Sequence, residues 1–543
     1  MSDRAERGRG REARGGRLVK GTLSRWFAMG VTVVLGLLVT PVIVRTLGKE
    51  SYGLWGLAAT FVGFYGLFDF GLSYTVARFM GRTLGRGDEE ELCRVASTGQ
   101  CMLAGGAILV VCAAFVVMGP ALSVLRIAPE FAGTFRWLVV LCAASVAVTM
   151  MTSVYGATLL ATEDFVVMSG IAAGSSVLRS LGGLAAVLSG WGVVGLAVVG
   201  LCATVLTAGV QVARSRRRLP GLHISPRRFT PGVFRALAGF SAATFLAMLA
   251  DMLRSRMDVA IVTRYSGLEQ AGLYALGATV FRFFRQAASD IGRVTWPRLN
   301  ILHGQEDAEG YRRFFLRVSR ITSGMVALFA GIVVGLAGTL VHLWLGPGFE
   351  RSALVARVLA GGFLLDVATS PGVGSLYAMG RHRYFAVQQV LEAVTAFGLA
   401  VFLGMRYGIV GVAAGVVVPN AVVKLTVQPW YVSGFAEIGF RDYWWRAVVL
   451  PGTTGAGLAG ALIGIERHVL GVNPAAGAAA GCGAIALAAA VLWLGALGRD
   501  DRKAIREWIG RALGGGARQG GEAAGERGGE QGWMESWDGA DGE

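Results

Sequence analysis

A succession of apolar runs, each long enough to cross a lipid bilayer, leaves this chain very few possible folds. A spanning helix needs about 20 mostly apolar residues. Fourteen windows meet that requirement: 26–45, 53–77, 95–118, 137–160, 165–189, 193–213, 236–262, 270–292, 321–345, 353–378, 384–405, 408–432, 444–465 and 475–498. The runs are continuous rather than alternating, so they read as helices and not as strands of a barrel. Gly48-Lys49-Glu50, Thr162-Glu163-Asp164, Gly190-Trp191-Gly192 and Gly380-Arg381-His382-Arg383 mark short joints between successive windows. No joint is long enough to hold a catalytic ectodomain. Composition agrees: 54% of residues are hydrophobic and 16% charged, against about 25% charged in a soluble protein. The expected fold is an all-α integral membrane protein of about 14 transmembrane helices.

The formal net charge is +16, which in a soluble chain would suggest nucleic acid. Here the basic residues report topology, because Lys and Arg collect on the cytoplasmic side of a membrane protein. Arg4, Arg7, Arg9, Arg11, Arg14, Arg17, Lys20 and Arg25 precede the first window. Arg78, Arg82, Arg86 and Arg94 follow the second, and Arg214, Arg216, Arg217, Arg218, Arg227, Arg228 and Arg235 follow the sixth. Arg293, Arg298, Arg312, Arg313, Arg317 and Arg320 follow the eighth. The opposite side is sparsely basic. The expectation is therefore an even number of spans in the cytoplasmic membrane, with both termini cytoplasmic and no nucleic-acid partner. The apolar run after the basic N-terminus is long enough to be a retained span rather than a signal peptide.

An internal repeat divides the chain. Arg45–Thr60 reads RTLGKESYGLWGLAAT and Arg264–Thr279 reads RYSGLEQAGLYALGAT. At an offset of 219 they are identical at Arg45/Arg264, Gly48/Gly267, Glu50/Glu269, Gly53/Gly272, Leu54/Leu273, Leu57/Leu276, Ala59/Ala278 and Thr60/Thr279. The offset equals six windows, an even number, so the halves have one orientation about an axis along the membrane normal. Parallel repeats of this kind occur in transporters.

Charges inside spans are costly and usually face a bundle interior or a water-filled cavity. Asp251, Arg254 and Asp258 lie at i, i+3 and i+7, on one helical face, where they form either a self-neutralising ladder or part of a lumen; Arg256 points elsewhere. Arg282 and Arg285 have no acid within one turn and read as lumen-facing. A guanidinium suits a pyrophosphate because it stays charged and donates bidentate hydrogen bonds. Arg179 is a further cavity candidate. Asp69, Asp290, Asp366 and Glu392 are candidates for a coupling proton or cation, or for pairing with the arginines; Gln388 and Gln389 lie beside Glu392, and Asn420 and Lys424 fall in the twelfth window. No P-loop, H-E-x-x-H or G-x-S-x-G is present. The six cysteines form no C-x-x-C pair and the histidines no ligand cluster, so no metal or cofactor is expected. Arg502–Leu513 has the pattern of an interfacial amphipathic helix, and the Gly- and Glu-rich residues 514–543 read as disordered.

The stretch TLGKESYGLWGLAATFVGFYGLFDFGLSYTVARFMGR, Thr46 to Arg82, resembles the polysaccharide-biosynthesis flippases of the multidrug/oligosaccharidyl-lipid/polysaccharide exporter superfamily. Gly48, Tyr52 and Gly53, then Asp69-Phe70-Gly71-Leu72 and Arg78, carry the likeness. Gly272-Leu273-Tyr274-Ala275 echoes it in the second half. The resemblance implies two six-helix lobes around a central cavity, alternating access, and a lipid-linked oligosaccharide as cargo among membrane lipids. It gives this organisation: basic N-terminus 1–25, N-lobe 26–213, basic linker 214–235, C-lobe 236–432, two additional spans in 444–498, and tail 499–543. The extra spans resemble those of the fourteen-span members, in which they border a lipid-accessible groove. Polysaccharide assembly proteins are possible partners. The alternatives are a multidrug/toxin extruder of the same superfamily, a membrane enzyme such as an O-antigen ligase or polymerase, and a non-transporting scaffold.

Overall fold

The computed structural model describes residues 2–162, 164–293, 308–379, 382–470 and 474–496, with residues 299, 302, 303, 305 and 502. Side chains are described over most of 24–494; those of Asp251, Arg254, Arg256 and Asp290 are not among them. All regular structure among the described residues is helical. The first half comprises α1 (Ser2–Gly66), α2 (Leu72–Arg86), α3 (Glu89–Val124), α4 (Pro129–Ala161), α5 (Phe165–Val177), α6 (Gly183–Leu188) and α7 (Gly192–Arg218). The second comprises α8 (Pro231–Arg256), α9 (Asp258–Arg293), α10 (Ala308–Leu345), α11 (Glu350–Ala368), α12 (Ser370–Ala378), α13 (His382–Val422) and α14 (Gln428–Phe435). After these come α15 (Phe440–Trp444), α16 (Leu450–Ile465) and α17 (Pro474–Val491).

Local chemistry sets the boundaries. Asp88 caps α3, its carboxylate accepting from Glu91 N at 2.8 Å, and three glutamates fill the first turn; both favour a helix N-terminus. Pro129 and Pro231 open α4 and α8, where a missing N–H costs nothing. Ten stretches among the described residues are long and apolar enough to cross a membrane. They are fewer than the fourteen windows partly because glycine joins two windows into one continuous helical hairpin. In α1 the turn is Gly48 (φ 78°, ψ 168°), and in α9 it is Gly267 (φ 85°, ψ 174°). These repeat-equivalent residues share a backbone conformation that an L side chain would strain. The third hairpin turns at Gly408, where Gly404 faces Val412 and Gly415 faces Ala400 across the arms. Asp258 follows Met257, which keeps helical angles (φ −80°, ψ −18°) although the ladder breaks there.

The halves exchange their first spans. The first arm of α1 meets α5 of its own half, with Ser24 Oγ donating to Ser169 Oγ at 3.2 Å and Thr32 and Ser176 sharing a hydrogen bond at 2.8 Å. It also meets the other half: Gly36 lies under the Phe283 ring of α9, and Trp344 Nε1 of α10 donates to Leu37 O at 2.6 Å. In the matching arrangement α8 packs on α13 of its own half and on α2 and α3 of the first. Ser241 Oγ donates to Thr75 Oγ1 at 3.0 Å, and the Phe70 and Phe245 rings lie 5.1 Å apart. The contacts of α1 and α8 thus correspond between the halves, an arrangement of two-fold kind.

The additional helix α16 is seated on α10, and the π turn that follows it, Glu466–Leu470, reaches α11. Ala327, Gly331, Gly335 and Gly338 make a strip of small residues on α10, and Gly455, Leu458, Leu462 and Glu466 fill it. A Cβ on Gly331 would stand 2.8 Å from Gly455 O, so the backbones touch, the usual use of small residues between membrane helices. Arg357 of α11 pairs with Glu466, which also accepts from Thr339 N and Oγ1.

Candidate substrate cavity and polar cluster

The two glycine hairpins meet on the axis. A Cβ on Gly53 would fall 2.0 Å from Leu268 O, and one on Gly272 would fall 2.1 Å from Lys49 O. Positions 49 and 268 are repeat equivalents, so the contact is reciprocal. Gly56 faces Ala275, its own equivalent, in the same way. Lys49 Nζ lies 3.7 Å from Glu269 and 5.3 Å from the Phe349 ring centroid, and Arg45 reaches Leu345 O at 3.4 Å. The Lys49–Glu269 pair is 34% and 52% exposed and so contributes at most about 1 kcal/mol. Backbone contact through glycine, not the ion pair, closes this end.

Arg282 lies along α9 from that seam. Its guanidinium donates to Thr279 Oγ1 at 2.5 Å, and the side chain is exposed. The Tyr52 hydroxyl of the opposite half neighbours both Thr279 and Arg282. Tyr274, fully buried, lies between the Asp258 carboxylate and Arg282. Arg285 is half-buried one turn beyond. A cation, two phenols and a carboxylate therefore gather where the halves face each other. Asp251, Arg254, Arg256 and Asp290 lie outside the described side chains.

Arg179 and Asp69 stand apart from this group. Arg179 Nη2 donates to Thr204 Oγ1 at 2.7 Å and Nε to Ser175 Oγ at 3.3 Å, ties within its own half. Asp69 lies at a break: Phe70 (φ 50°) and Gly71 (φ 70°) reverse the backbone between a short 3-10 turn and α2. Its carboxylate accepts from Ser73 Oγ at 2.6 Å and Ser73 N at 3.3 Å, so it satisfies polar groups in the first turn of α2, whose N-cap is Gly71.

A second polar group lies within the later half. Asp366 of α11, Glu392 of α13 and Asn420 near its end converge with Lys424, which sits in a π turn, Val423–Val427. Lys424 is 2% exposed, with Nζ 3.3 Å from Asp366 Oδ1. Asn420 Nδ2 bridges the carboxylates, donating to Asp366 Oδ1 at 3.1 Å and Glu392 Oε1 at 2.9 Å. Gln428 Nε2 donates to Thr369 O at 3.1 Å, and Tyr431 donates to Gln388. Among the described residues Asn420 Oδ1, Gln428 Oε1 and Gln389 Oε1 are buried without a hydrogen bond. Sequence inspection marks Asp366 and Glu392 singly. The amide that joins them is visible only once α11 and the two arms of α13 are brought together in space.

Two helical halves, with charged groups between them and within one half, and ten stretches among the described residues long and apolar enough to cross a membrane define a multi-pass membrane protein. The chain belongs to the polysaccharide biosynthesis protein family, which matches it over residues 42–354. A putative O-antigen transporter of Shigella flexneri is 22% identical over 412 residues, covering 73% of this chain and 93% of that protein. The uncharacterized membrane protein EpsK of Bacillus subtilis (strain 168) is 21% identical over 412 residues, covering 74% and 80%. The fold is similar to that of the lipid II flippase MurJ in an inward closed conformation, with TM-score 0.64, 12% identity, and 88% and 99% of the two chains covered. An inward-facing multidrug resistance MATE family transporter gives TM-score 0.62 at 15% identity, covering 76% and 99%.

Proposed function

We propose that this protein moves undecaprenyl-pyrophosphate-linked oligosaccharide across the cytoplasmic membrane by alternating access, supplying cell-surface polysaccharide synthesis. Residues 26–213 and 236–432 act as the two lobes, with both termini cytoplasmic. The observation that carries the reading is Arg282, an exposed guanidinium on α9 beside the Tyr52 hydroxyl of the opposite half. An intramembrane cation at a seam between two halves suits an anionic lipid headgroup. Arg285, and by sequence Arg254, extend that cationic surface; Arg256, on another face of the same helix by sequence, is a further candidate. Asp366 and Glu392, bridged by Asn420 and held by Lys424, are the groups for a coupling proton or cation. A carboxylate in such a site binds either one, and exchanging it changes the balance with the buried ammonium.

Arg282→Ala with Arg285→Ala abolishes polysaccharide export in cells lacking the native protein, while membrane levels on an immunoblot stay at those of wild type. Normal export by the well-inserted double variant overturns the cavity role. The drug-extruder reading draws on the MATE-like fold, yet a cationic seam disfavours the cationic drugs such a protein would carry. Unchanged drug susceptibility on expression is the expected result.

A further inference from the structure

The segment between the two halves is bound to the first half along its length. Ser225 N donates to Ser97 Oγ and Thr230 N to Thr98 Oγ1, both at 3.1 Å. The Cys93 thiol donates to Gly221 O and accepts from His223 N, both at 3.4 Å. Leu219, Leu222 and Ile224 pack onto the core. With the apolar side turned inward, Arg214, Arg216, Arg217, Arg227, Arg228 and Arg235 are exposed. Arg218 is paired with Asp164 at 2.7 Å; among the described residues the other six make no ion pair. Beside Arg227 and Arg228, the Phe229 and Phe234 rings pack 5.9 Å apart and are 42% and 41% exposed.

The strap, 214–235, takes in the last turn of α7, which ends at Arg218, and the first turn of α8, which starts at Pro231, which puts it where spanning helices leave the bilayer. Exposed aromatic rings and unpaired guanidiniums are both satisfied at that depth. Rings enter the acyl boundary, and arginines reach lipid phosphates. A soluble partner would satisfy the charges but would leave the rings at the bilayer edge unexplained. We propose that the strap 214–235 is a docking site for anionic phospholipid headgroups, with Phe229 and Phe234 wedged between lipids and Arg216, Arg217, Arg227 and Arg228 on the phosphates. This rests on the membrane-spanning fold and not on the cargo.

Native mass spectrometry of the purified full-length protein tests it, with phosphatidylglycerol or phosphatidylcholine of the same acyl chains titrated in. Wild type binds phosphatidylglycerol more tightly. Substituting Arg216, Arg217, Arg227 and Arg228 together by Gln weakens the first phosphatidylglycerol at least about fivefold, the effect of one interfacial arginine, and leaves phosphatidylcholine unchanged. The four-Lys variant keeps the preference, since the charge remains. Equal affinity of wild type for the two lipids, or an undiminished preference in the Gln variant, overturns the proposal. Displacement of phosphatidylglycerol by an equimolar amount of undecaprenyl pyrophosphate also overturns it, assigning the strap to cargo. Should the Gln variant fail to fold, wild type alone decides: the preference falls between about 0.05 M and about 0.5 M salt, and salt-independent binding refutes it. Export is not read, so a wrong cargo assignment leaves this result intact.

Discussion

Lys424 illustrates how a single residue can be costly alone and stable in company. An ammonium taken out of water costs several kcal/mol, recovered only with a close counter-charge and satisfied hydrogen bonds. Asp366 supplies that charge at 3.3 Å, and Asn420 holds Asp366 in turn. Asp366→Asn removes the counter-charge at 3.3 Å and lowers stability by about 3–5 kcal/mol, the usual cost of breaking a buried pair. Adding Lys424→Met removes the buried ammonium and restores most of that loss. Thermal unfolding in detergent checks both steps. Transport separates structure from coupling: the double variant regains stability but not export when the pair couples transport. Recovery of both makes the pair structural. Sequence inspection finds these charges because an intramembrane charge is conspicuous against a run of valine and alanine. It does not find their partners, since Asp366, Glu392 and Asn420 lie on different spans. Asp69 has as strong a sequence signal as Asp366, and its described hydrogen bonds are local, to Ser73 in the first turn of α2.

At the scale of elements, hydropathy locates the helices well and their interruptions poorly. Gly48 and Gly267 fall between windows and Gly408 opens one, and at each the backbone turns with positive φ without leaving the helical hydrogen-bond ladder for long. The π turns at Leu178–Gly182, Val423–Val427 and Glu466–Leu470 carry Arg179, Lys424 and Glu466. Hydropathy does not register an inserted residue, so these were not legible, although π turns often mark functional positions. The docking of α16 was likewise hidden. Its glycine strip could be read as ordinary membrane composition, and the Arg357–Glu466 pair spans 109 residues. The packing predicts its own disruption. Gly335→Leu forces a side chain into the space of Leu462, whose Cβ stands 2.5 Å from the added Cβ, at a cost of about 1–3 kcal/mol. Glu466→Gln adds to it by leaving Arg357 with a neutral partner. Limited proteolysis at the 436–439 joint between α14 and α15 reads both: each variant is cut faster than wild type. Unchanged cleavage in both argues that α16 and α17 are held elsewhere.

At the scale of the molecule, the repeat is the one global property the sequence displays openly, because its matched residues include Gly, Arg and Glu rather than apolar residues alone. Their conservation between halves now has a geometric cause: on a two-fold axis each residue meets the other half's equivalent or its near neighbour, so both copies share one steric constraint. Gly53 and Gly272 stand on that axis with a carbonyl oxygen from the opposite half where a side chain would begin. Gly53→Ala and Gly272→Ala therefore hold the seam apart to a similar degree, and both reduce export while leaving insertion unchanged. A crosslink gives the opposite perturbation. Lys49→Cys with Glu269→Cys, in a background lacking the six native cysteines, closes the seam covalently under oxidation. Export stops and returns with reductant if this end must open in each cycle. The combination is decisive: introducing Gly53→Ala into the double-cysteine protein slows disulfide formation, measured as a mobility shift on gels, because the alanine methyl props apart the surfaces the disulfide must join. Disulfide formation at the wild-type rate in the triple variant means that the glycine contact is not what closes this end, and the seam would then be held by the flanking helices instead.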